Sequence, residues 1–206
     1  MSSTCGLTSI SMKAKWRHPE RAVRPALRLP FPISTETRTG CLVRILGIDP
    51  GSTISGFGIV EFDGGRLSLV AAEALRLGRS DDLPTRLRKA ADGLRDALRL
   101  HRPEQVCLEN VFQHINVRSA LVLAHVRGAL MLELAREGYQ IHEYTALQVK
   151  KALVGHGHAD KEQVRSMVQR LLRLTSLPRP LDLSDALAVA ICHAHCSESR
   201  RRWGRA

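Results

Sequence analysis

From residue 42 onward, apolar and polar positions follow a regular order. Residues 42–49 form a largely apolar run closed by the carboxylate of Asp49, and Pro50, Gly51 and Ser52 turn the chain at once, which predicts a strand with an acid at its carboxyl end. Residues 54–62 alternate in part, as a second strand does, Asp63-Gly64-Gly65 is a hairpin turn, and residues 67–77 make a third strand, so the first three strands should run as an antiparallel meander. Leu83, Leu87, Ala90, Ala91, Leu94 and Leu98 recur at helical spacing, with Asp81 or Asp82 as the cap and Pro84 in the first turn. A fourth strand, Val106-Cys107-Leu108, delivers Glu109 to its end. Residues 119–136 read as a long apolar-striped helix stopped by Gly138. Residues 139–144 give a fifth strand, and helices follow at 146–153, 161–174 and 182–196, the last after Pro178 and Pro180. No internal repeat is present. Three strands, helix, strand, helix, strand and then helices predict an α/β fold, a five-stranded mixed sheet with helices on both faces.

At 206 residues the chain has room for one domain with a sizeable core and an appendage. Residues 1–40 carry seven Lys/Arg against two Glu, are rich in Ser, Thr, Arg and Pro, and show no sustained periodicity. Three readings stand for them: a disordered basic extension, a translation start that truly lies near Val43, or a transit peptide. The folded domain is then expected over residues 42–197, with a basic tail at 198–206. The charge changes the picture more: 31 Lys+Arg against 20 Asp+Glu leave a formal net charge of +11, a balance suited to a polyanionic partner. Cys5, Cys41, Cys107, Cys192 and Cys196 show no CxxC spacing and no disulfide framework, which points to a reducing, cytoplasmic setting. No apolar stretch approaches the roughly 18 to 20 residues of a membrane helix.

Four acids are the candidate chemistry. Asp49 and Glu109 end two strands, where open α/β sheets collect ligands, and Asp182 and Asp185 lie three apart at the start of the last helix, on one helical face. An acid at the end of a buried strand, as Glu109 is, is costly unless paired or coordinated. Hard cations such as Mg²⁺ take oxygen ligands, and a two-ion site needs a bridging carboxylate with others beside it. Asp49 is the best candidate for the bridge. Such a site suits hydrolysis of a phosphodiester without a covalent protein nucleophile.

Taken as a set, Leu46-Gly47-Ile48-Asp49-Pro50-Gly51-Ser52 with Gly56-Phe57-Gly58, Glu109-Asn110-Val111-Phe112 with Asn116 and Ser119-Ala120-Leu121, Gln148-Val149-Lys150, and Asp182-Leu183-Ser184-Asp185-Ala186-Leu187-Ala188 resemble the RuvC family of Holliday-junction resolvases. The resemblance runs from about Arg44 to Cys196. It implies an RNase H-like fold, a homodimer, paired nicking of four-way DNA junctions with Mg²⁺ (two ions per site, Mn²⁺ able to substitute), and the branch-migration proteins RuvA and RuvB as partners. By the same resemblance Asp49, Glu109, Asp182 and Asp185 are catalytic metal ligands, Phe112 is an aromatic beside the active site, and Lys150 and Lys161 meet DNA. Arg118 and Arg127 either touch phosphate or belong to a dimer surface on the helix at 119–136. Gln113, His114 and His125 depart from the family pattern.

Two other functions compete. Actin-like and sugar-kinase-like ATPases also open on a Gly-Ile-Asp-x-Gly-Ser turn, although this chain is short for their two lobes and shows no second Asp-x-Gly phosphate loop, Asp63-Gly64-Gly65 being the hairpin turn, and no late Gly-Gly nucleoside motif. A noncatalytic junction-binding relative is the other. Cys192-His193-Ala194-His195-Cys196 invites a zinc reading, but four such neighbours on one helix cannot all face the same way. His156 and His158 belong to a Gly-rich loop better suited to phosphate than to metal.

Overall fold

The computed structural model describes residues 42–110, 117–180 and 182–203, with side chains to residue 199. Five strands, β1 (Val43–Asp49), β2 (Ile54–Asp63), β3 (Arg66–Arg76), β4 (Gln105–Asn110) and β5 (Ile141–Thr145), form one sheet in the order β3-β2-β1-β4-β5. β1 to β3 are the expected antiparallel meander, whereas β1, β4 and β5 are mutually parallel. The helices are α1 (Leu83–His101), α2 (Val117–Arg136), α3 (Ala146–Val154), α4 (Lys161–Leu171) and α5 (Asp182–Trp203).

The period of two along β1 sorts its residues into two cores. Val43 and Ile45 pack with Val60, Phe62, Cys107 and the apolar face of α5, while Leu46 and Ile48 pack with Phe57, Ile59, Leu108 and residues of α1 and α2. The central strand is therefore buried on both faces, which is why it reads as an almost unbroken apolar run.

Element ends follow local chemistry. Asp82 caps α1 by accepting from the Thr85 amide, and Thr145 and Asp160 close reciprocal capping boxes with Gln148 and Gln163 at the starts of α3 and α4. Gly138, at φ +81°, closes α2, and the Tyr139 amide bonds back to the Leu134 carbonyl. That backward bond keeps Tyr139 out of the sheet, so β5 begins at Ile141 rather than at 139. α4 stops short of the expected 174 because Arg173 takes a left-handed conformation, φ +53°. α5 runs on past Cys196 to Trp203.

Candidate metal centre

α5 reaches the sheet over a floor of glycine. Gly47 pairs with Gly58 across β1 and β2, and Asp49 pairs with Gly56, so these four positions share the face beneath the helix. A Cβ at Gly56 would stand 2.7 Å from the Asp182 carbonyl oxygen, and one at Gly58 would stand 2.6 Å from the Leu187 amide nitrogen. Three missing side chains let the helix backbone descend onto the strands. The fourth position on that face is the Asp49 carboxylate. β4, parallel to β1 and in register through Ile48 and Leu108, carries Glu109 to the same level.

One oxygen each from Asp49, Asp182 and Asp185 lies within 4.8 Å of the others, and among the described residues this is the group of three or more His, Cys, Asp or Glu side chains able to hold an ion together. Glu109 joins through a hydrogen bond with Asp49. Burial, then the charges of Glu109 and Asp185, that hydrogen bond and the charge of Asp182 push the Asp49 carboxyl up to about 8. Burial also raises Glu109 and Asp185, with Lys161 opposing in both cases. A proton held at Asp49 and donated to Glu109 is how the protein alone relieves the crowding. A divalent cation would relieve it better, since all four donors are carboxylate oxygens, the type that hard cations take.

The acids stand in a cleft of about 430 Å³ that is also lined by the turn Pro50–Ile54, by Leu123 of α2, by Val149 and Lys150 of α3, and by Lys161 and Val164 of α4. The turn is held from both ends: the Gly51 amide donates to Ser55 Oγ at 3.2 Å, and Arg86 Nη1 donates to the Ser52 carbonyl at 3.3 Å. Lys161 Nζ is 4.0 Å from Asp185 Oδ2.

The structure thus brings together Asp49, Glu109, Asp182, Asp185, Lys150 and Lys161. Arg118 is exposed at the start of α2 and is not among the cleft-lining residues, and Phe112 lies outside the described residues. His156 and His158 are exposed and do not line the cleft. The thiol and imidazole run on α5 disperses, as its helical spacing requires: Cys192 is buried in the core, His193 bonds Tyr144 Oη at 2.8 Å and Gln105 Oε1 at 2.9 Å, and His195 faces the Ala152 carbonyl. Sequence reasoning noted Gly56 and Gly58 only as part of a motif. Their physical signal was available, because glycines two apart in an apolar strand mark a close backbone approach.

A family model, "Crossover junction endodeoxyribonuclease RuvC", matches residues 45–193. The crossover junction endodeoxyribonuclease RuvC of Methylobacillus flagellatus is 49% identical over 157 residues, covering 74% of this chain and 87% of the relative. That of Aromatoleum aromaticum is 47% identical over 169 residues, covering 79% and 90%. Among solved structures, Thermus thermophilus RuvC in complex with a Holliday junction substrate aligns with a TM-score of 0.72 at 33% identity, covering 76% of this chain and 96% of that one. The yeast mitochondrial Holliday junction resolvase, at 12% identity and a TM-score of 0.60, shares the fold.

Proposed function

The chain belongs to the RuvC family of crossover junction endodeoxyribonucleases, and we propose that it resolves four-way DNA junctions by paired, Mg²⁺-dependent phosphodiester hydrolysis in recombination and repair. The observation that carries this reading is the convergence of the Asp49, Asp182 and Asp185 oxygens within 4.8 Å, with Glu109 bonded to Asp49, in a cleft that also presents Lys150 and Lys161. Family membership also favours the nuclease over the phosphate-binding ATPase as the reading of the turn after Asp49.

In the proposed mechanism Asp49, Glu109, Asp182 and Asp185 hold the metal. Bound divalent ions would activate water for attack on the phosphodiester and stabilise the leaving oxygen. The chain's own residues do the rest. Gly47, Gly56 and Gly58 keep the two acids of α5 at the level of the strand ends, so the four carboxylates need no rearrangement to act together. Lys150 and Lys161 line the approach, where a DNA backbone exchanges its counterions for their charge. Lys161 is exposed enough to leave Asp185 for a phosphate.

Paired nicking calls for two such sites, and a homodimer supplies them. In support, the solvent side of α2 exposes Val117, Leu121 and Leu132 together with Ala124 and Gly128, an apolar stripe suited to a second copy. RuvA and RuvB as partners, Mg²⁺ as the native ion with Mn²⁺ able to replace it, and a cytoplasmic setting belong to the same reading. Among the described residues Cys107, Cys192 and Cys196 form no disulfide, which suits a reducing compartment.

The test is cleavage of a labelled synthetic four-way junction with Mg²⁺, with a linear duplex as control, comparing the native chain with Asp49→Asn. Symmetric paired nicks that vanish in the variant support the reading. Junction binding without nicking in the native chain would leave the noncatalytic relative in its place.

A further inference from the structure

Arg86 of α1 reaches the turn that follows Asp49. Its guanidinium donates to three backbone carbonyls: Nε to Asp81 at 3.0 Å, Nη1 to Ser52 at 3.3 Å, and Nη2 to Arg79. Two of these acceptors belong to the loop that leads into α1, and the third belongs to a turn that lines the acidic cleft. No carboxylate pairs with Arg86 among the described residues. The acids nearest to it in sequence are engaged elsewhere, Asp81 with Lys89 and Asp82 with the Thr85 amide.

A guanidinium held by carbonyls alone serves geometry more than charge pairing. Its planar fork sends donors in fixed and separate directions, so one side chain can tie several chain segments together, which the single nitrogen of a lysine does poorly. The turn calls for such a tie, because residues 50–53 have no partner in the sheet ladders. Ser55 Oγ takes the Gly51 amide at 3.2 Å, and the Leu77 amide donates to the Thr53 carbonyl at 2.8 Å. Those two anchors come from β2 and from the residue after β3. Arg86 secures the Ser52 carbonyl between them, from a helix outside the sheet.

We propose that Arg86 is a positioning residue for the nuclease reaction: it locks the turn after Asp49, so that Ser52 and Thr53, which line the cleft with the four acids, stay fixed against the scissile phosphate. The role belongs to the step after binding. Lys150 and Lys161 lie on α3 and α4, and the acids lie on β1, β4 and α5, so affinity for DNA and for metal does not pass through Arg86. A loosened cleft wall instead loses orientation at the reacting group.

The inference rests on the reading of this cleft as a nuclease site. Its test is single-turnover nicking of a labelled four-way junction in Mg²⁺ at saturating full-length protein, beside junction affinity in Ca²⁺ and a thermal melt. Arg86→Gln should slow nicking at least about tenfold, while junction affinity stays within about threefold. Arg86→Lys keeps the charge but not the fork and should slow nicking at least about fivefold; it decides the matter if Arg86→Gln proves unfolded. Arg88→Gln, at an exposed position on the same helix, removes an equal charge and should leave the rate within about twofold. A native saturated rate in Arg86→Lys, even with a lowered melt, would reduce Arg86 to a stabilising contact and overturn its role, and equal slowing in Arg88→Gln would overturn it too; both leave the nuclease reading standing. No nicking by the native chain would overturn that reading, and this inference with it.

Discussion

Asp49 and Gly56 face each other across β1 and β2, and the empty side-chain position at Gly56 is where the carbonyl of Asp182 comes down, 2.7 Å from where a Cβ would be. A carboxylate on one strand and the absence of a side chain on the next together place a second carboxylate, from a helix more than 120 residues further along the chain, at the same cluster.

The glycine floor yields a graded prediction. Gly58→Ala sets a Cβ against the Leu187 backbone in the middle of the contact and should destabilise the fold by about 1–3 kcal/mol, as overpacking does. Gly56→Ala acts at the start of α5 and should chiefly displace Asp182, with a smaller loss of stability and a clear loss of Ca²⁺ binding. Urea denaturation beside calorimetry checks both; equal loss of both properties in the two variants would contradict the graded effect.

The protonation of Asp49 makes stability depend on pH in a defined direction. Its carboxyl moves from the ordinary 3.8 up to about 8 on folding, so between those values the folded chain binds the extra proton. Stability of the metal-free protein should fall as pH rises through that window and level off above it. Divalent cation should reverse the loss. Thermal melts at several pH values with and without Mg²⁺ check this, and Asp49→Asn should flatten the metal-free dependence. The same variant should lose at least about two decades of cleavage rate, because a metal ligand contributes several kcal/mol.

Lys150 and Lys161 make a prediction that does not involve the chemistry. If each neutralises a phosphate, Lys150→Ala or Lys161→Ala should lower the slope of log affinity against log salt by roughly one. The measurement is junction binding across a salt series in Ca²⁺, and an unchanged slope would return the residue to the solvated surface.

The apolar stripe on α2 is tested at Leu121 and Leu132, both more than half exposed. Leu121→Glu with Leu132→Glu should weaken self-association at least about tenfold, since charge at the centre of an apolar interface is strongly unfavourable. Sedimentation reads the mass, and single-site nicking in place of paired cuts should follow.

Much of this molecule was legible along the chain. The acids at 49 and 109 announced themselves because apolar runs led up to them, and Asp182 and Asp185 because a three-residue spacing on a helix has one geometric meaning. The meander, a cap at Asp81 or Asp82, which the structure assigns to Asp82, the stop at Gly138 and the sheet with helices on both faces came from period and turn chemistry, which act over a few residues. Boundaries slipped where a nonlocal or conformational event intervened: Tyr139 was drawn back to Leu134, and Arg173 ended α4 early.

The residue types alone determined that this chain carries carboxylates of the kind that hard cations take and a surplus of positive charge, because carboxylates and lysines keep their chemistry wherever they lie. Tertiary structure decided how these groups meet. It turned three glycines into the seat of α5, crowded Asp49 until burial and neighbouring carboxylates raised its proton affinity, and sent Cys192 and His193 into the core away from any shared ion. Each outcome depends on distances between segments far apart in sequence, and Coulomb energy, desolvation and close packing all vary with those distances.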